Sequence, residues 1–383
     1  MNSLRIHYFL TDFISGIILI CLPIYFKVAV QLSAFEVGII YLVGGIISVI
    51  CALISSIIAQ KIKIKKRILN LGLIFMISGI IYFNILLIIT GSITFNQALI
   101  GSSLIFSMRS LLHILGDELT ITYTKINKKA NYGKIRSFGS LGWGANFLIM
   151  GIVLIFLTKW FMTIFLLSGL FIWFNSFYLP NNQTKEQLEF KFQDLKKILR
   201  MPNFLVYLVI NTLLLSVLNN MNIFVEYTII DNGDNLSWYY ILSIIFITVD
   251  MLTVHYSSII LKKLKPRKYL LTFILLLNLK LIILILFAKT ILLYIVILLD
   301  AIIWGLFIPF TSSFINSETS SNLLTILFML AYSCALIFTS IFSPIFGYLY
   351  DKLGSSATFI SMFILISIAL ILAQKLNLKN IKN

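Results

Sequence analysis

Apolar residues in this chain come in runs. Twelve mostly apolar stretches, separated by short polar breaks, fill residues 6–29, 36–59, 68–89, 95–120, 136–157, 160–179, 203–229, 238–260, 269–287, 290–313, 323–346 and 356–374. A helix needs about 20 such residues to cross the hydrocarbon core of a bilayer, so each run predicts one membrane-crossing helix. The longest polar interval is 180–202, PNNQTKEQLEFKFQDLKKILRMP. Within it Leu188, Phe192, Leu195 and Leu199 recur at helical spacing and predict a short amphipathic helix. The pattern predicts an all-α polytopic membrane protein of two six-helix bundles, 1–179 and 203–383, joined by a cytoplasmic linker at 180–202. Six spans on either side of a linker is the layout of a secondary transporter working by alternating access, with substrate held near the bilayer midplane between the bundles.

Composition removes the alternatives to a membrane. The 383 residues are 60% hydrophobic and 11% charged, with mean hydropathy +1.00. Soluble domains average roughly 45–50% apolar and about 25% charged, which excludes a water-soluble fold, a secreted disulfide scaffold and a coiled coil. A net charge of +16 would otherwise suggest nucleic acid, but the basic residues sit in alternate loops. They cluster in KIKIKKR at 61–67, KINKKANYGK at 125–134, the 185–200 stretch, KKLKPRK at 262–268 and the tail lysines 375, 379 and 382. The other loops hold only Lys27, Lys159, Lys289 and Lys352, and loop SETSSN carries Glu318 alone. This is the positive-inside pattern, placing both termini in the cytoplasm and the chain in the cytoplasmic membrane; no nucleic-acid partner is expected. Trp160 and Trp238 fall at predicted outer helix ends, where an aromatic belt is expected. Cys21, Cys51 and Cys334 lie far apart inside apolar runs and read as packing residues, so no metal or cofactor is expected. The first run is too long for a signal peptide and is expected to stay as a helix.

The candidate chemistry lies in polar residues that the membrane makes costly. An ionisable group at a span centre costs about 2.5–3.5 kcal/mol on insertion scales, so it should face a cavity or another such group. The chain keeps Asp12, Arg109, His113, Asp117, Glu118, Arg136, Asp250, His255, Lys280 and Asp300 at or within its spans. Arg109, His113 and Asp117 form an i, i+4, i+8 stripe, readable as a proton or substrate path or as an internally satisfied ladder. Glu118 and Arg136 flank the loop between spans four and five at similar depth, so two antiparallel helices would let them pair. A guanidinium fork and a carboxylate suit sugar or ribose hydroxyls, and Ser140 and Trp143 share the Arg136 face. The alternative is that Arg136 is a positive-inside residue and Trp143 packing; the spacing leaves both open. Gly139, Gly142 and Gly144 offer small faces for close helix approach. Asp250, Lys280 and Asp300 lie on neighbouring spans as proton-coupling candidates beside Asp117, or as a static salt bridge that fixes register.

The segment NYGKIRSFGSLGWG at 131–144 resembles the motif after the fourth span in the lactose permease-like proton symporters of the major facilitator superfamily. SPIFGYLYDKLGSSATF at 343–359 resembles that group's junction of spans eleven and twelve. The resemblance implies that Glu118 and Arg136 hydrogen-bond a sugar, that Trp143 stacks on it, and that Gly16 and Asp250 lie near the substrate. It also implies that Lys280 takes the place of a functional ninth-span arginine. Departures are substantial. Only the basic part of the loop 2–3 motif remains in AQKIKIKKR, with Gln60 where an aspartate would stand. The seventh-span aspartates fall on Asn219 and Asn222, and the group's coupling histidine and glutamate fall on Trp304 and Phe307. Any proton coupling must therefore use other groups, and lactose itself is not the expected substrate.

The expected activity is secondary active transport: proton-coupled uptake of a small hydroxylated solute (a sugar, oligosaccharide or nucleoside) by a monomer, with no catalytic residues. A drug exporter of the same fold is the first rival, but the fifth-span GSLGWGANFLIMG lacks the proline usual in such antiporters. A flippase or polytopic glycosyltransferase would need a large aqueous loop or metal-binding carboxylates, and no nucleotide loop or zinc spacing occurs. A non-transporting sensor is the last rival, kept by the missing coupling residues.

Overall fold

The computed structural model describes residues 2–62, 65–127, 132–156, 160–180, 198, 200–234, 236–263, 266–288, 292–318 and 321–376. The amphipathic stretch expected at 181–197 lies outside them, as do the side chains of Glu118, Trp238 and His255. The described chain is all helix, without a strand. α1 (Asn2–Val28) is followed by α2 (Ala34–Ile62), α3 (Lys65–Thr90), α4 (Phe95–Ile126), α5 (Tyr132–Phe156) and α6 (Phe161–Ser176). Then come α7 (Pro202–Asp231), α8 (Leu236–Lys263), α9 (Pro266–Phe287) and α10 (Leu292–Glu318). The final helical run, Ser321–Lys375, breaks at Gly354, whose φ of 82° and ψ of −180° no helix allows. It therefore forms α11 (321–353) and α12 (355–375).

Among the described residues eight helices are long and apolar enough to cross a membrane by length and composition alone. Several helices run one turn past the apolar run that predicts them, into the basic loops. The chain separates into two compact units, Met1–Gln187 and Leu188–Asn383, and the division falls within the polar interval 180–202.

In the first unit α1 packs on α5, α2 on α4, and α3 on both α4 and α6. With no hydrophobic drive between helices in lipid, small residues and interhelical hydrogen bonds set these contacts. Gly44 abuts the Phe106 ring, and Ser48 meets Ser110 at 2.7 Å. Asn84 on α3 donates to the Met162 carbonyl at 3.1 Å. Lys66 donates to the Phe177 and Leu179 carbonyls, serving backbone acceptors that the end of α6 leaves unpaired. α4 starts on a capping box, Thr94 with Gln97. α1 is not uniform: Ile17–Cys21 is wound as a π-helical turn. Pro23 just beyond it brings no N–H and crowds the carbonyl one turn back, a recognised cause of such a disturbance.

In the second unit α7 packs on the α11–α12 run, α8 on α10, and α9 on α10 and the α11–α12 run. Amide side chains of α7 bind α11 backbone: Asn211 donates to the Ala331 carbonyl and Asn220 to that of Thr339, each at 3.0 Å. Tyr350 donates to Asp231 at 2.7 Å, and Tyr269 on α9 to the Leu306 carbonyl on α10 at 2.9 Å.

Candidate functional site

The first unit gathers its buried polar groups where α1, α4 and α5 meet. Tyr8, Asp12 and Ser15 lie at i, i+4 and i+7, so they share one face of α1. The stripe on α4 meets that face. Tyr8 donates to Asp117 at 2.5 Å, the length of a charge-assisted O–H···O bond. Ser15 shares a 2.9 Å hydrogen bond with His113 Nε2, and His113 Nδ1 stands 3.7 Å from Asp12. Asp12 is thus part of the network. Arg109 lies over the Phe106 ring of its own helix, 6.0 Å from the centroid.

Beside this network α1 and α5 approach each other closely. A Cβ on Gly142 would stand 2.0 Å from the Phe9 carbonyl, and one on Gly139 would stand 1.8 Å from an Asp12 oxygen. One on Gly16 would collide with Asn146 of α5 at 2.4 Å. Gly16, expected near the substrate, is therefore buried beneath Asn146.

Arg136 enters from α5; the expected pairing with Glu118 falls on a side chain outside the described residues. Asp117 is a carboxylate partner of Arg136: one guanidinium nitrogen reaches both Asp117 oxygens at 3.3 Å. Glu118 lies on α4, next to Asp117. The Arg136 and Asp117 side chains are 51% and 31% exposed, and a pair so open to solvent contributes about 0–1 kcal/mol. Stability does not explain it. Arg136 and Ser140 are exposed and Trp143 is half-buried, whereas Gly139, Gly142 and Asn146 are buried. α5 thus shows one face to α1 and carries Arg136, Ser140 and Trp143 together on the other, as their spacing requires. Trp143 also meets Phe147 edge to face, with ring centroids 6.2 Å apart.

The second unit holds a separate cluster. Lys280 on α9 and Asp300 on α10 form an ion pair at 2.8 Å with both side chains almost wholly buried, at 2% and 4% exposure. Lys280 also donates to Asn222 of α7 at 3.4 Å. Asp250 is half-buried on α8, within electrostatic reach of Asp300. One turn beyond Asn222 lies Glu226, fully buried, and neither of its oxygens has a hydrogen-bond partner among the described residues. Tyr239 on α8 feels both the Glu226 and the Asp300 charges. Sequence reasoning missed Glu226. A carboxylate inside the apolar run 203–229, four residues after an asparagine, was the available signal.

Residues 1–334 match the MFS_1 like family. No curated protein sequence matches the chain. Among solved structures, a point mutant of the nucleoside transporter NupG superposes with a TM-score of 0.79 at 16% identity, covering 98% of each chain. A D-xylose–proton symporter gives 0.75 at 13% identity over 100% of this chain and 98% of its own. A bacterial homologue of the human lysosomal transporter Spinster, inward-facing and unoccupied, gives 0.72 at 13%, with the same coverage. At such identities the likeness carries the fold.

Proposed function

Because the chain belongs to the MFS_1 like family and has the major facilitator fold of membrane transporters, we propose that it imports a small hydroxylated solute by proton-coupled alternating access. The proposed solute is a nucleoside or sugar, crossing the cytoplasmic membrane with both chain termini in the cytoplasm. One observation carries the reading: the Tyr8–Asp117–Arg136 network, with Ser140 and Trp143 on the same exposed face of α5 as Arg136. A guanidinium and a carboxylate can exchange their mutual bond for bonds to hydroxyl groups, and an indole offers a flat apolar surface to a sugar ring or base. The half-exposed setting suits a pair that must open to a ligand. The fold neighbours lend support, since one is a nucleoside transporter and another a D-xylose–proton symporter. In this reading Glu118, Arg136, Ser140 and Trp143 contact substrate, with Gly16 and Asp250 beside the path. Asp117, Asp250, Lys280 and Asp300 are the groups through which protons would act.

Purified protein in liposomes with an alkaline interior is expected to accumulate at least one member of a panel of labelled nucleosides, pentoses and hexoses. Arg136→Ala should lower that uptake by about ten- to a hundredfold, equivalent to losing one or two hydrogen bonds to a charged group, while the protein stays folded. A panel in which nothing moves and nothing stabilises the protein would sink the substrate class.

A further inference from the structure

We infer that Glu226 is a proton-binding site of the second unit and that its proton exchange governs the Lys280–Asp300 pair.

Three observations point there. Lys280 and Asp300 balance each other at 2.8 Å, so a charge on Glu226 would be the uncompensated one. Glu226 is 0% exposed, and its two oxygens are orphaned among the described residues. Its position is also specific: Asn222, at i−4 on the same face of α7, is the residue that receives a hydrogen bond from Lys280. A buried ionised carboxylate without partners is among the costliest arrangements in a protein, and a bound proton abolishes that charge.

The surroundings favour a proton over a metal cation. A hard cation needs several oxygen ligands at once, and among the described residues no group of three His, Cys, Asp or Glu side chains is arranged to hold one. The charged and titratable groups around Glu226 are identifiable. From α8, Tyr239 couples to both Glu226 and Asp300, and Asp250 couples to Asp300. From α9 and α10 come Lys280 and Asp300. On α7 itself Tyr227 is the neighbour, and from α11 Tyr350 and Asp351 face Tyr227.

Release of the Glu226 proton to water leaves a carboxylate one helical turn from Asn222. The Lys280 ammonium, until then paired among the described residues with the Asp300 carboxylate, gains a second anion to answer. Proton exchange at one side chain thereby changes the bonding between α7, α9 and α10.

The inference rests on the proton-coupled reading above for its transport consequence, but infrared spectroscopy of the ligand-free protein in lipid tests the site by itself. Wild type should show a carboxylic-acid C=O band that moves down in deuterium oxide, is missing from Glu226→Gln and returns, displaced, in Glu226→Asp. Identical carbonyl spectra for wild type and Glu226→Gln overturn the inference. A Glu226 carboxylate band that differs between sodium and potassium chloride also overturns it, in favour of a metal cation. If Glu226→Gln fails to fold, wild type treated with a hydrophobic carbodiimide, which attacks protonated buried carboxyls, decides. Labelling on Glu226 that fades as pH rises upholds the site; an unlabelled Glu226 overturns it. With uridine and D-xylose as probes, Glu226→Gln should keep exchange across the membrane and lose uphill accumulation, whereas wild-type accumulation in the variant overturns the coupling role. A wild-type protein that shows the band but no proton-driven accumulation of any solute overturns the proton-coupled reading and leaves the Glu226 site standing.

Discussion

A lysine and an aspartate buried together at 2.8 Å present a residue-scale choice between holding the fold and serving transport. Removing one member of such a pair strands the other charge and costs about 3–5 kcal/mol, whereas replacing both with apolar groups of similar size is often neutral or better. Lys280→Met is therefore expected to unfold at markedly lower denaturant in detergent, and Lys280→Met with Asp300→Leu to recover most of the loss. A single variant as stable as wild type would contradict the buried pairing. At this scale the sequence was half legible. The cost of charge in lipid marked Asp117, Lys280 and Asp300 as meaningful without any structure. It could not show that Asp117 reaches Arg136, because that depends on which face of α4 meets α5. Glu226 escaped notice for another reason: it sits three residues from the end of its apolar run, where a carboxylate reads as interfacial. α7 continues to Asp231, and the tertiary packing buries what the pattern left near water.

Helices α1 and α5 show how an element-scale contact depends on absent atoms. The small-residue spacing of Gly139 and Gly142 was visible in the sequence; their partner was not, since any neighbouring helix satisfies the spacing. The structure supplies α1, with the Phe9 backbone directly against Gly142. Gly142→Val must push two backbones apart, and overpacking of this kind costs about 1–3 kcal/mol. Its thermal unfolding in detergent should fall accordingly. A Gly142→Val protein as stable as wild type would mean the helices are not so close. Helix limits were legible to within about two turns, because the bilayer fixes the apolar length and leaves the polar ends free to extend.

At the scale of the whole molecule the bilayer does most of the specifying. Every backbone polar group in lipid must be satisfied within its own segment, which leaves helices as the response to twelve apolar runs. This is how a fold can be shared at 16% identity with a TM-score of 0.79. The basic loops carry the expected orientation, with the C-terminus in the cytoplasm. A fluorescent protein fused to the C-terminus should fluoresce, and alkaline phosphatase fused there should be inactive, both marking the cytoplasm; the reverse pattern would invert the topology. The solute was not legible at any scale, since hydroxyl recognition by Arg136 and stacking on Trp143 suit pentose, hexose and nucleoside alike.

The π-wound stretch Ile17–Cys21 bears on how force travels along the first helix. On its N-terminal side, glycine contacts with α5 hold the segment bearing Tyr8, Asp12 and Ser15; within it, the Ile18 carbonyl accepts a hydrogen bond from Tyr41 of α2 and Cys21 lies against Asn146 of α5. A load on the far end of α1 therefore meets α2 and α5 at this turn before it reaches the polar groups at Tyr8, Asp12 and Ser15.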